Sequence, residues 1–127
     1  MSKQKVTLCE QEGSYVSIYV DASLHEGELT ISGQDIGKAA EDFWGDSDYE
    51  YWLTLPPASA EKFFKLLCAN SPGEDPLDVL QRRFHGTGAF SGIRSCCASH
   101  GIEARFDSYV ESWRCKCHVF KSGARGI

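Results

Sequence analysis

The chain has 127 residues, 42% hydrophobic and 12% aromatic, with no low-complexity run; this is enough apolar material for one core and excludes a disordered polypeptide. Its net charge of -5 excludes a simple phosphate-binding surface, so no nucleic-acid partner is expected. The charge is divided: residues 1–61 carry 3 Lys+Arg against 12 Asp+Glu, whereas residues 62–127 carry 10 against 6, so a basic partner suits the N-terminal half.

The opening Met-Ser-Lys-Gln-Lys-Val-Thr-Leu-Cys-Glu lacks the apolar stretch of a signal peptide, and no later window is long and apolar enough to span a bilayer. A cytoplasmic protein with no membrane association is expected, folded as one domain over residues 1–127. In a reducing compartment Cys9, Cys68, Cys96, Cys97, Cys115 and Cys117 are thiols or metal ligands before they are disulfides.

In chain order, Val6 to Cys9 and Tyr15 to Asp21 flank Glu12-Gly-Ser14 and predict a hairpin, with Val16, Ile18 and Val20 alternating against Tyr15, Ser17 and Tyr19. Asp21 to Gly27 is polar enough to be a turn before a third strand, Glu28 to Ser32. From Gly33 to Gly45, Ile36, Ala39, Ala40 and Phe43 repeat at helical spacing behind a capping Asp35, which predicts a helix. Tyr49 to Leu55 returns to period two, with Tyr49, Tyr51, Leu53 and Leu55 on one face and Glu50, Trp52 and Thr54 on the other.

After Pro56-Pro57 the stripe Ala60, Phe63, Phe64, Leu67, Cys68 marks a buried helix. Asp75-Pro76 opens a second with Leu77, Leu80 and Phe84 inward, and a third covers about Phe90 to His100 before Gly101. Alternation then resumes, with Ala104, Phe106, Ser108 and Val110, then Trp113, Cys115, Cys117 and Val119, as inward faces of a final hairpin. Strands at both ends with helices between predict an α+β fold, an antiparallel or mixed sheet with three to four helices packed mainly on one face.

No catalytic site is recognisable. Cys96, Cys97, His100, Cys115, Cys117 and His118 offer soft ligands for zinc, but the spacing is not that of paired knuckles and a strand would turn His118 away from Cys115 and Cys117. Buried cysteine as a small hydrophobe is the plainer reading, so no metal or cofactor is expected. A thiol nucleophile would have His85, His100 or His118 for a base, but no spacing singles out a pair. His85-Gly-Thr-Gly-Ala-Phe-Ser-Gly92, near Arg82, Arg83 and Arg94, matches no phosphate-loop pattern and reads as a connection between helices. Asp46-Ser-Asp48-Tyr-Glu50 alternates oxygen ligands, but Tyr51 and Pro57 stand where a calcium loop needs Gly and Glu.

The strongest surface signal is Glu41 to Trp52, where acids interleave with Phe43, Trp44, Tyr49, Tyr51 and Trp52. Periodicity turns Trp52 away from Leu53 and leaves Trp44 at a helix end, beside Asp42, Asp46, Asp48 and Glu50. Asp42, Trp44, Asp46, Asp48, Glu50 and Trp52 are therefore the candidate partner-binding residues, an anchored and electrostatically steered protein interface. The plainer reading is a sheet edge whose acids are solvated and whose tryptophans pack under the C-terminal segment.

Ile31-Ser-Gly-Gln-Asp-Ile-Gly37 followed by Phe43-Trp-Gly-Asp-Ser-Asp-Tyr-Glu-Tyr-Trp52 resembles a stretch of small bacterial proteins, some of them similar to immunity proteins of polymorphic-toxin and contact-dependent inhibition systems. The resemblance implies a cytosolic, non-enzymatic inhibitor that neutralises a cognate toxin by binding it, and an acidic surface suits a basic toxin domain. The alternatives are a zinc- or thiol-dependent protein using Cys96, Cys97, Cys115 and Cys117, and a homodimer or larger structural assembly buried through Tyr15, Tyr19 and Trp52.

Overall fold

The computed structural model describes residues 4–37 and 48–110, with the backbone alone described at Asp48 and Val110. Five strands, β1 (Lys5–Gln11), β2 (Val16–His25), β3 (Glu28–Gly37), β4 (Asp48–Leu55) and β5 (Arg105–Val110), form one antiparallel sheet in the order β1-β2-β3-β4-β5. Between β4 and β5 come helices α1 (Pro57–Leu67), α2 (Pro76–Arg83) and α3 (Ala89–Ser99). The fold is α+β, with a wholly antiparallel sheet and three helices among the described residues. None of those helices is long and apolar enough to cross a membrane.

Period-two patterning sets the inner face of the sheet. Val20 and Ala22 of β2, Leu29 and Ile31 of β3, and Tyr51, Leu53 and Leu55 of β4 are all buried. They meet Ala60, Phe63 and Leu67 of α1, Leu77, Val79 and Leu80 of α2, and Phe90, Ile93 and Cys97 of α3 in one cluster. The stripes expected for α1 and α2 hold, with Phe64, Cys68 and Phe84 at the partly buried margin. At the start of α2 the Asp75 carboxylate accepts the Leu77 amide at 3.0 Å and Pro76 takes the first turn, the cap-then-proline order in which the missing N–H costs nothing.

On the edge strand β1 the register slips between Thr7 and Cys9, so Leu8 and Cys9 are both buried, as a bulge allows. The exposed side of that edge is partly covered: Gln81 donates to the Thr7 carbonyl at 2.8 Å and the Gly86 amide to the Leu8 carbonyl at 2.9 Å.

Two expectations are overturned. The polar segment Asp21 to Gly27 is not a turn, because β2 continues to His25 and packs Ala22 inward; only Glu26 and Gly27, at φ 50° and 86°, turn the chain. Positive φ at both central residues is the two-residue hairpin geometry that follows the strand twist. The helix expected from Gly33 does not begin there either. Residues 33–37 extend β3, paired with Val16 to Val20 on one side and, from Gly33 to Ile36, with Asp48 to Tyr51 on the other. Ladder bonds to two neighbours outweigh the poor strand propensity of Gly and Asp, and Asp35 is no helix cap. The remainder of that expected helix, and the second strand of the final hairpin with Trp113, Cys115, Cys117, His118 and Val119, lie outside the described residues.

Candidate functional site

Because neighbouring strands pair without slippage from β2 to β5, outward side chains line up in rows across the sheet. One row runs Glu10, Tyr19, Gln34, Glu50, Tyr109; the next runs Thr7, Asp21, Ser32, Trp52, Asp107. Side chains opposite one another in such rows stand close enough to act as one surface. A third row, Lys5, Ser23, Thr30, Thr54, Arg105, sets Lys5 and Arg105 beside the second row, where Lys5 pairs with Asp21 at 3.8 Å and Arg105 donates to Asp107 at 2.9 Å; Glu10 and Glu50 lie beyond them in the first row.

The aromatic members are held and still accessible. Tyr109 is 41% exposed, as is Ile36 at 37% beside the first row, while Tyr19 and Trp52 are half-buried. Tyr19, Asp21, Ser32, Gly33, Gln34, Glu50 and Trp52 line a groove of about 230 Å³. The Tyr19 hydroxyl donates to the Glu12 carboxylate at 3.2 Å, and Gln34 Nε2 donates to Glu50 at 3.4 Å. Desolvation and that bond to Glu12 hold the Tyr19 phenol above its usual range, so it stays a neutral donor among acids.

Of the six residues expected at the interface, the structure brings Glu50 and Trp52 onto this face, as their alternation required. Asp48 opens β4 opposite Ile36, and Asp42, Trp44 and Asp46 lie outside the described residues. Sequence reasoning missed Glu10, Asp21, Asp107 and Tyr109 as members of the same surface. Their outward positions follow from alternation, but only the strand register places them beside Glu50 and Trp52.

The cysteines divide by burial. Cys97 is buried and its thiol is pushed up to about 11 by burial, a reluctant nucleophile at neutral pH. Cys96 Sγ stands 3.9 Å from His100 Nδ1, which is itself 3.0 Å from the Cys96 carbonyl oxygen. No group of three or more His, Cys, Asp or Glu is disposed to hold a metal among the described residues.

On the other side of the sheet lie further cavities, among them one of about 270 Å³ lined by Leu53, Cys97, Ile102 and Phe106. One of about 460 Å³ follows α1 past Leu24, Pro57, Phe64, Cys68 and Pro72. It is largely apolar, and its Glu61 and Lys65 are strongly exposed and pair with each other at 3.9 Å. Another, of about 240 Å³, lies at the Gly37 end of β3 against α3 and includes Asp35, Tyr51 and Arg94. There the Tyr51 ring crosses directly over Gly33, where a Cβ would collide with it, and its hydroxyl donates to Asp35 Oδ1 at 2.7 Å.

Comparison with protein-family models, with curated proteins and with solved structures finds no match. The functional reading therefore rests on the residues and their arrangement.

Proposed function

We propose that the chain is a non-enzymatic, cytosolic protein-binding domain of the immunity type, whose outer sheet face takes the basic surface of a cognate toxin domain. The observation that carries this reading is the strand register, which sets Tyr19, Trp52 and Tyr109 among Glu10, Asp21, Glu50 and Asp107 on one face. Aromatic side chains anchor interfaces through large area at low entropic cost, and like charges around them steer an oppositely charged partner. Asp42, Trp44, Asp46 and Asp48 belong to the same proposed surface on sequence grounds.

A hetero-partner is favoured over a second copy of the chain. Isologous pairing about the middle of the face would bring Asp21 and Glu50 against their own equivalents, and like-charge juxtaposition is costly. The test is affinity capture from source cells with the wild-type chain and with an Asp21→Lys/Glu50→Lys variant, bound proteins being identified by mass spectrometry. Recovery of one basic domain by the wild type, lost in the variant, supports the reading. Capture of the same protein by both, or concentration-dependent self-association of the wild type abolished in the variant, removes it.

A further inference from the structure

The 240 Å³ cavity against α3 is independent of the outer face, since its walls come from the inward residues Asp35, Tyr49 and Tyr51 together with α3 and β5. Its polar groups do not neutralise one another. Asp35 is half-buried and accepts through Oδ1 from Tyr51 at 2.7 Å, and among the described residues Oδ2 has no partner. Arg94 lies with its guanidinium carbon 3.8 Å from the centre of the Phe106 ring. It forms no ion pair or hydrogen bond among the described residues. A cation over an aromatic ring keeps its N–H donors for other partners, and a guanidinium can grip a carboxylate in two bonds.

Tyr49 pairs with Asp35 across β3 and β4 and lines the cavity together with Arg94; burial raises the pKa of its phenol, a hydrogen bond with Ser108 lowers it, and Asp35 and Arg94 act on it in opposite directions. Phe90, set edge-on to Tyr51 with centroids 4.6 Å apart, closes the apolar side. The cavity thus presents a carboxylate, a guanidinium and aromatic walls in a volume smaller than the roughly 300 Å³ at which drug-sized sites begin. A ligand with one charge would leave the other site charge unanswered in a partly desolvated place, which is unfavourable.

We propose that this cavity binds a free α-amino acid, with the ligand's ammonium on Asp35, its carboxylate on Arg94, and its side chain against Tyr49 and Phe90. The zwitterion answers both charges at once, and its size matches the space.

Isothermal titration calorimetry of the full chain against each of the common L-amino acids, with N-acetyl and methyl-ester forms of any that bind, tests the assignment. At least one free amino acid should bind with a Kd in the millimolar range or tighter, and blocking either end should weaken it about tenfold or more, the loss expected for one charge-assisted contact. Arg94→Gln should weaken binding to a similar degree while leaving the far-ultraviolet circular dichroism unchanged, because Arg94 is a half-exposed helix residue. Asp35→Asn should do the same, and should it fail to fold, the blocked ligands and Arg94→Gln still decide. Failure of every free amino acid to bind at about 10 mM, equal binding of the blocked forms, or undiminished binding by Arg94→Gln each overturns the proposal.

Discussion

Tyr51 and Asp35 show how one residue's chemistry is set by the room its neighbours leave. Only glycine at position 33 lets the Tyr51 ring lie flat across β3 and reach Asp35 two residues further on. Gly33→Ala should therefore displace the ring and cost about 1 to 3 kcal/mol, the range of an overpacked core, measured as a lower midpoint in urea unfolding. Desolvation holds the Asp35 carboxyl above its usual range, and the Tyr51 bond offsets this only in part. The folded state thus binds that proton more tightly than the unfolded chain does. The stability this group contributes is full below the unfolded pKa and is lost as pH rises through the folded pKa. Asp35→Asn keeps an acceptor for Tyr51 and removes the titration. Its stability relative to the wild type should rise as pH increases above the usual carboxylate pKa of about 4; a difference that stays constant with pH would remove Asp35 as the source.

At the scale of elements, short local signals carried most of the fold. The Asp75 cap followed by Pro76 placed α2, and Asp75→Ala should lower stability by about 1 kcal/mol with an unchanged denaturant slope, since one orphan amide loses its acceptor. The β2–β3 turn offers the opposite case. Glu26 sits at φ 50° before Gly27 at φ 86°, a conformation asparagine tolerates better, so Glu26→Asn should raise the thermal midpoint by a degree or more, about 0.5 kcal/mol. Strand β4 and the three helices were legible because their apolar spacing is strict and is bounded by proline, glycine or a capping acid. Residues 33–37 were not, because Gly33, Asp35 and Gly37 carry the local signature of a helix start. What makes them strand is pairing with β2 and β4, and nothing within the segment itself records that. The same holds for the longer β2, whose polar Asp21 and Ser23 face outward while Ala22 and Leu24 point to the core side.

For the whole molecule, the sheet separates two surfaces of different chemistry, and the sequence disclosed only part of each. Glu50 and Trp52 could be assigned outward from alternation within β4, whereas Glu10, Asp21, Asp107 and Tyr109 join them only through four antiparallel registers. This assembly makes a kinetic prediction that a single cluster in sequence does not. Charge at the face should govern encounter and its aromatics should govern residence, because steering acts over a Debye length while packing acts on contact. With the basic partner recovered by affinity capture, Asp21→Lys/Glu50→Lys should slow association about tenfold or more at low salt, with the deficit shrinking as ionic strength rises. Trp52→Ala should leave the association rate within about twofold and speed dissociation by roughly thirtyfold, equivalent to about 2 kcal/mol of anchor energy. Asp21 meets Lys5 at 3.8 Å with both side chains substantially exposed, so reversal there costs the fold little, and thermal midpoints of the variants should stay close to that of the wild type. If surface plasmon resonance instead finds the charge reversal acting on dissociation alone, with no dependence on salt, then the acids contact the partner without steering it and the face works as a set of local pairs.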